Sequence, residues 1–353
     1  MTTASFRVVS PGLLTTVQDR GRIGHQSLGV PVSGAMDLLA FEAANALVGN
    51  PAGTEAFEIA YQGPTFAIES GSLRVAYVGG SAPIEIVARS GEKRSLPPLQ
   101  SARLVAGDLL RIGALTGSAI GYLAIEGGID VPPFLGSRAT LTRGGIGGYK
   151  GRALAAGDIV TLRRPDAPVR DEVRLPALDL TTPKRFRVVL GPQADYFTPE
   201  AIATLLSATY TITPATDRMG MRLDGAKLQH DPALGFDIVS DGIAPGTIQV
   251  PGNGLPIILL ADRQTTGGYP KIATVISSDL PALGRLRPGG QVAFERVSVE
   301  EAQALHRIMA REIGRLSDRL EPVPPLKLMS GSCGSSPERT VLGPEPVRVS
   351  LLA

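Results

Sequence analysis

A tight turn followed by an alternating strand recurs three times along this chain, and this repeat limits the possible fold more than any other feature. The copies span 104–112, 154–162 and 286–294; in each, a Leu precedes a Gly-containing turn and apolar residues alternate after it. The pattern is typical of a turn that leads into a half-buried β-strand. The chain also contains 42 Gly and 29 Pro in 353 residues, which favours short strands over long helices. We therefore predict a mainly β protein.

The length and the spacing of these segments predict two β-rich domains in tandem. A chain of 353 residues is long for one core and suits two. Similar strands open each half, at 6–9 and 186–190, and Pro and charged residues interrupt the patterning between the halves. We predict a first domain at 1–164, a linker at 165–184, a second domain at 185–297, a C-terminal amphipathic helix at 298–321 and a Pro/Gly/Ser-rich tail at 322–353.

Capping residues and apolar spacing predict three short helices. The first spans 37–48 and ends before a Gly-Asn-Pro sequence. Thr198 and Pro199 open the second, which continues to position 206. A capping box at Ser298 opens the third, which is expected to pack across the second domain. Its apolar stripe consists of Ala302, Leu305, Met309, Ile313, Leu316 and Leu320.

The charge balance limits the kinds of binding partner that this chain can have, and the cysteine content indicates its cellular compartment. The chain has 35 Lys and Arg against 33 Asp and Glu, so it lacks the basic field that nucleic-acid binding requires. Its single cysteine, Cys333, rules out an intrachain disulfide and suits a reducing compartment. No segment resembles a signal peptide or a bilayer-spanning run. We expect a cytoplasmic protein with no nucleic-acid or membrane partner, and a tail that carries a surface thiol and one terminal strand at 347–352.

Several common catalytic motifs are missing. His25, His230 and His306 lie far apart, with no cysteine or carboxylate at ligand spacing, so no metal site is predicted. The chain has neither a Gly-x-x-x-x-Gly-Lys-Ser/Thr loop nor a Gly-x-Ser-x-Gly elbow. A P-loop is therefore excluded at the level of sequence, and hydrolysis by a self-contained triad is not supported.

Polar groups are concentrated instead in four Gly-rich clusters. The most informative is 262–271, which follows the apolar run 257–260. A buried strand fixes where such a loop starts, and a Gly pair lets backbone N–H groups approach a ligand closely. The Gln, Thr and Lys side chains supply donors for an anionic or carbonyl oxygen. The alternative is a surface hairpin with ordinary polar turn residues.

The other three clusters span 17–37, 216–223 and 240–254. In the first, Ser33 either touches a ligand or, like Asp37, is available to cap the helix that follows. In the second, Arg218 either clamps a carboxylate with two hydrogen bonds or pairs with Asp217.

At these clusters the chain resembles the KipA/PxpC family, also described as allophanate hydrolase subunit 2-like and biotin-dependent carboxyltransferase-like. The resemblance covers about 5–297 and includes Asp241, where many members have Glu. The motifs that carry it lie at 18–22, 29–37, 217–220, 248–251 and 262–270. The resemblance implies two tandem cyclophilin-like β-barrel domains with a few short helices.

The resemblance also implies partners and an activity. It implies a KipI/PxpB-like partner subunit and a third, LamB/YcsF-like subunit. With them the chain would form an ATP-dependent 5-oxoprolinase that converts 5-oxo-L-proline to L-glutamate. ATP with Mg²⁺ is then needed at the level of the complex, and the chain is expected to be inactive alone.

Two other functions of this family remain open. One is the carboxyltransferase component of a biotin-dependent carboxylase that acts on a urea- or amide-type substrate. The other is a non-catalytic antagonist of a KipI-like inhibitor of a histidine kinase. Biotin would be a cofactor only of the carboxyltransferase, and it would arrive on another protein because this chain has no Met-Lys acceptor sequence.

The site residues are predicted from the same clusters. A lactam hydrolase that activates its substrate by phosphorylation must hold a carboxylate, a developing oxyanion and a phosphate together. We predict a main site in the second domain, where Arg218 binds a carboxylate and Lys271 an anionic oxygen. The predicted catalytic residues are Asp262, Gln264, Thr265, Thr266 and Lys271. The predicted substrate-binding residues are Arg218, Ser240, Gln249, Asn253 and Tyr269, with Asp19, Arg20 and Ser33 in a corresponding site of the first domain.

Overall fold

The structure, a computed structural model that describes residues 3–324, begins with a unit of two antiparallel sheets. Its elements are β1 (Ser5–Ser10), β2 (Leu14–Gln18), α1 (Leu38–Leu47), β3 (Ala56–Ala60), β4 (Thr65–Ser70), β5 (Ser72–Ser81), β6 (Ile84–Val87), β7 (Lys93–Ser95), β8 (Ser101–Val105), β9 (Leu109–Ile112), β10 (Thr116–Ile125) and β11 (Ile159–Thr161). The sheets have the orders β11-β1-β4-β9-β6-β7 and β2-β3-β10-β5-β8. Alternation along β1 turns Phe6 and Val8 inward, where Phe6 packs on Phe66 with ring centroids 4.5 Å apart. Both sheets thus share one apolar core.

The second unit is a closed β-barrel. The remaining elements are β12 (Val173–Arg174), β13 (Phe186–Leu190), α2 (Pro199–Ser207), β14 (Thr209–Thr216), β15 (Gly220–Asp224), β16 (Asp241–Gly242), β17 (Thr247–Gln249), β18 (Ile257–Leu259), β19 (Thr266–Gly267), β20 (Lys271–Val275), α3 (Leu280–Arg285), β21 (Gln291–Arg296), α4 (Val299–Gly314) and β22 (Glu321–Pro322). The barrel has the order β13-β20-β17-β18-β15-β14-β21. A parallel pairing of β13 with β21, which sets Phe186 opposite Phe294, closes it. The pairs β12–β22 and β16–β19 stand outside the barrel.

These observations confirm the predicted mainly β fold with few short helices. The second unit is a closed barrel, whereas the strands of the first unit divide into two sheets. Both units belong to one compact body, which includes the described residues up to Val323, and the domain limits at 164, 184 and 297 stay predictions. No helix within 3–324 is both long and apolar enough to cross a bilayer. Cys333 and the strand expected at 347–352 lie outside the described residues.

Two of the three repeated turns are held by Asp side chains. In the first copy Asp108 Oδ2 accepts the Val105 N–H at 3.0 Å, and in the second Asp158 Oδ2 accepts the Ala155 N–H at 2.7 Å. The Gly before the Asp adopts a positive φ, 96° at Gly107, which a side chain would strain. The Gly-Asp pair predicts the turn because Gly allows the positive φ and Asp supplies the hydrogen-bond acceptor that the turn needs.

All three predicted helices form, but two of them pack differently from expectation. Asp37, Thr198 and Ser298 cap α1, α2 and α4 as expected. Helix α1 is buried on nearly all sides rather than amphipathic, because it packs against β5, β10 and α3. Helix α4 contacts both α1 and β13, so it lies across both units, and it ends at Gly314, earlier than predicted. Helix α3, with Pro281 in its first turn, was not predicted.

The carboxylate of Asp37 joins α1 to the second unit. Its Oδ1 accepts the Ala40 N–H at 3.1 Å, and its Oδ2 accepts from Arg285 Nη1 at 3.2 Å. The side chain is fully buried, and this desolvation raises the pKa of Asp37 to about 6 although the Arg285 charge opposes it.

We expect Asp37→Asn to remove a pH dependence of stability. Asp37 binds its proton more tightly in the folded protein than in the unfolded chain, where its pKa is about 3.9. The stabilisation is therefore complete below pH about 4 and is lost as the pH rises through about 6. The difference between these two pKa values corresponds to roughly 3 kcal/mol of folding free energy. Asn keeps an acceptor for the helix cap, so urea denaturation from pH 4 to 7 isolates the titration; parallel stability curves for the two proteins would contradict it.

Candidate functional site

A cavity of about 450 Å³ lies on the outer face of the second barrel. Met221, Ile248 and Ile258 point into the barrel core, so their strand neighbours Arg222 and Gln249 face outward. The polar residues that line the cavity are Arg143, Thr216, Asp217, Arg222, Gln249, Gln264 and Tyr269. The structure thus brings three of the predicted site residues, Gln249, Gln264 and Tyr269, to one place.

Four residues on adjacent strands form a row across this face. Arg222 stands opposite Ile257, Ile257 opposite Gln249, and Gln249 opposite Lys271. A register shift between Ile248 and Gln249 leaves Ile272 as the extra residue on β20, and this bulge sets Lys271 beside Gln249. We call these four residues the Arg222–Lys271 row.

Lys271 combines burial with an unused donor. Its side chain is almost wholly buried, and its Nζ makes no hydrogen bond with the described protein. The nearest carboxylate is exposed Asp241, whose Oδ2 lies 3.3 Å from Nζ. The pKa of Asp241 is lowered first by the Gly242 N–H and then by Lys271. Because a buried ammonium without a hydrogen bond is costly, this nitrogen is well suited to receive an anionic oxygen.

Gln249 places a side-chain amide beside Lys271. It is buried, its Nε2 donates to Tyr269 O at 3.2 Å, and its Oε1 accepts from Gln264 Nε2 at 3.3 Å. A Cβ at Gly267 would lie 2.8 Å from Gln249 Nε2. Gly267 of the 262–271 cluster therefore lets the loop backbone pack directly on this amide.

The two threonines of the cluster hold the loop in place. Strand β19 pairs with β16, so Gly267 stands opposite Asp241 and exposed Thr266 opposite Gly242. The carbonyl oxygen of Thr265 accepts the Ile243 N–H at 3.0 Å. Of the other predicted residues, Ser240 and Asn253 are exposed and do not line the cavity. Asn253 instead stabilises a turn, since its Oδ1 accepts the Leu255 N–H at 3.1 Å.

Arg218 and Asp262 lie between the two units rather than in the cavity. Arg218 Nε donates to Asp262 Oδ2 at 2.9 Å, its Nη2 donates to Gly34 O at 2.7 Å, and its Nη1 donates to Glu58 Oε1. Burial alone would lower the pKa of Arg218, but the charges of Glu58 and Asp262 outweigh it and raise the pKa. Of the two roles open for Arg218, the structure shows pairing, though with Asp262 and Glu58 instead of Asp217.

The predicted residues of the first unit lie elsewhere. Asp19 is occupied by backbone and hydroxyl donors, including Gly21 N–H and Ser137 Oγ at 2.7 Å each. Arg20 and Ser33 line a second, mostly apolar cavity of about 400 Å³ between the units, while Asp19 does not. The Ser33 hydroxyl is buried without a hydrogen-bond partner in the described protein, and Asp37 rather than Ser33 caps α1.

Comparison with known proteins identifies the family. Residues 28–296 match the family model of the carboxyltransferase domain, subdomain A and B. The chain belongs to this family. It is 34% identical over 317 residues to the C subunit of 5-oxoprolinase from Escherichia coli (strain K12), a match that covers 89% of this chain and 98% of that protein. The resemblance stated from the four clusters is thereby confirmed.

Larger proteins contain a similar carboxyltransferase domain. Urea amidolyase of Lachancea kluyveri is 33% identical over 340 residues, which cover 89% of this chain and 18% of that protein. The crystal structure of the K. lactis urea amidolyase superposes with a TM-score of 0.80 at 29% identity, over 90% of this chain and 20% of that one. This chain therefore spans about a fifth of the urea amidolyases that it matches.

Two residues that line the cavity of this carboxyltransferase domain, and one beside Lys271, were not predicted. Arg143 comes from the first unit, and its Nη2 lies 3.2 Å from Asp217 Oδ2. Gln193 Oε1 accepts the Lys271 N–H at 3.4 Å. Only the third, Arg222, carried a signal: it lies in the 216–223 cluster, at an outward position of an alternating strand.

Proposed function

We propose that this chain is the C subunit of an ATP-dependent 5-oxoprolinase that converts 5-oxo-L-proline to L-glutamate. On this proposal it acts with a KipI/PxpB-like and a LamB/YcsF-like subunit and is inactive alone. One observation carries the proposal: 98% of the Escherichia coli 5-oxoprolinase C subunit aligns with this chain at 34% identity.

The chemistry of the cavity supports a lactam substrate. The amide of Gln249 has both a donor and an acceptor, as a lactam does. Beside Gln249, Lys271 Nζ can exchange its exposed partner Asp241 for the charge that develops on the lactam oxygen. Gln264 orients the amide of Gln249 through a hydrogen bond. The 265–267 backbone, held by the pairing of β19 with β16, packs beside Gln249. Asp262 contributes indirectly, because it holds Arg218 between the units.

ATP with Mg²⁺ belongs to the complex in this proposal. Among residues 3–324, no three His, Cys, Asp or Glu side chains are grouped so that they could hold a metal ion. We therefore assign no step to a metal held by the described part of this chain. The roles assigned to its residues are to bind, orient and stabilise the substrate.

A carboxyltransferase acting on a urea- or amide-type substrate is the second candidate. The matching family model is named for carboxyltransferase, and urea amidolyase of Lachancea kluyveri shares 33% identity with this chain. The same amide and ammonium groups would serve carboxyl transfer to an amide nitrogen. Biotin would then be carried by another protein.

One reconstitution separates the candidates. The chain is co-expressed with the two proposed partner subunits and incubated with ATP, Mg²⁺ and 5-oxoproline, with and without avidin. Glutamate that forms in both samples supports the oxoprolinase. Avidin-sensitive consumption of bicarbonate without glutamate supports the carboxyltransferase and contradicts the first proposal. Elution of the KipI-like subunit apart from this chain at micromolar concentration contradicts the complex.

A further inference from the structure

The cavity needs a cation for the substrate carboxylate, and Arg218 is occupied elsewhere. Its guanidinium is held by Asp262, Glu58 and Gly34. Two other guanidinium groups, those of Arg143 and Arg222, line the cavity. A 5-oxoproline site must contain such a cation because the lactam ring carries a carboxylate beside its nitrogen.

Arg222 is the less engaged of these two cations. Arg143 already pairs with Asp217, whereas Arg222 has no carboxylate within 4.0 Å among the described residues. Its side chain is exposed at the cavity wall, on a strand fixed on both sides by β14 and β18. Because this strand is hydrogen-bonded on both sides, the backbone that carries the Arg222 guanidinium is fixed in position.

The Arg222–Lys271 row spaces its charges for a small bifunctional ligand. Adjacent strands lie about 4.8 Å apart, so the backbones at the two ends of the row are roughly 14 Å apart. Arg222 lines the cavity at one end of the row, and at the other end Lys271 is buried beside Gln249 and outside the cavity lining. Between them Ile257 offers an apolar surface and Gln249 an amide.

We infer that Arg222 binds the carboxylate of the substrate at one end of this row, an inference that rests on the proposed function. The ligand class is a small cyclic amide with a carboxylate next to the ring nitrogen. The ring lies over Ile257, the amide of Gln249 meets the lactam group, and Lys271 faces the lactam oxygen. Arg143 adds positive charge at the rim next to the first unit.

The test measures binding of two ligands to the reconstituted complex. 5-Oxoproline carries the carboxylate, and 2-pyrrolidinone is the same lactam without it. Arg222→Met is expected to weaken 5-oxoproline about tenfold to hundredfold, since a charge-assisted pair is lost, and to leave 2-pyrrolidinone unchanged. Arg222→Lys should restore part of the affinity, because it keeps the charge but loses the planar fork. Arg296→Met, an exposed strand position outside this cavity, is the control.

The outcomes separate the inference from the proposed function. The inference would be overturned if Arg222→Met changed the affinity for both ligands equally or for neither. It would also be overturned if the wild-type complex did not bind 5-oxoproline. Glutamate is measured in the same samples. A complex that binds 5-oxoproline through Arg222 but forms no glutamate would overturn the oxoprolinase and support the carboxylate site.

Discussion

Arg218→Met is expected to lower the free energy of unfolding by about 3–5 kcal/mol, the cost of breaking a buried ion pair from one side. Arg218 joins Asp262 of the second unit to Glu58 and Gly34 of the first. The substitution would leave Glu58 and Asp262 buried without their cation, and Met cannot donate to either carboxylate. Because Arg218 joins the two units, the loss of stability should affect the unfolding of both units.

Urea denaturation measures this loss. Arg296→Met removes an exposed Arg from the same barrel and is expected to change the free energy of unfolding by no more than about 0.5 kcal/mol. If Arg218→Met unfolds at the same urea concentration as the wild type, Arg218 is not the link between the units that its hydrogen bonds indicate.

Lys271→Met is expected to lower the turnover of the reconstituted complex about hundredfold, while stability is unchanged or increased. Removing a donor that stabilises an oxyanion typically costs roughly 3 kcal/mol in the barrier. Stability should not fall, because the carboxylate that loses its partner, Asp241, is exposed to water and an apolar side chain is easier to bury at this position.

The two readouts distinguish a catalytic lysine from a structural one. Lys227→Met, at an exposed position, serves as the control. A fall in kcat without a rise in KM locates the interaction in the transition state, whereas a rise in KM alone would make Lys271 a binding group only. Full turnover in Lys271→Met would remove Lys271 from the site, and a large loss of stability would assign it to the fold.

Local chemistry made much of the fold predictable. Gly107 and Asp108 indicate a turn because one supplies the backbone conformation and the other the hydrogen bond. Ser298 indicates a helix because it and Glu301 satisfy each other's backbone N–H groups. The barrel strands follow from period-two alternation. Each of these signals lies within a few residues of the structure that it predicts.

The arrangement of the site depended on distant residues and was only partly predictable. Gln249, Gln264 and Tyr269 do meet in one cavity. The sequence contains no sign, however, that Arg218 pairs with Glu58, 160 positions away. The direction of Arg222 follows from alternation, but its place in a row with Lys271 depends on the register of four strands and on a bulge at Ile272. Register is a property of the assembled sheet.

Strand β13 takes both of its barrel neighbours from the far end of the unit. It pairs with β20 and, in parallel, with β21, and the Phe186–Phe294 contact joins positions about 100 residues apart. A nascent chain leaves the ribosome N-terminus first, so β13 stays unpaired until residues beyond 270 have emerged. An unpaired apolar strand is a template for other chains. We therefore expect that translation which stalls between the two ends of the barrel leaves the edge of β13 open to pairing with other chains, and that this lowers the yield of folded protein.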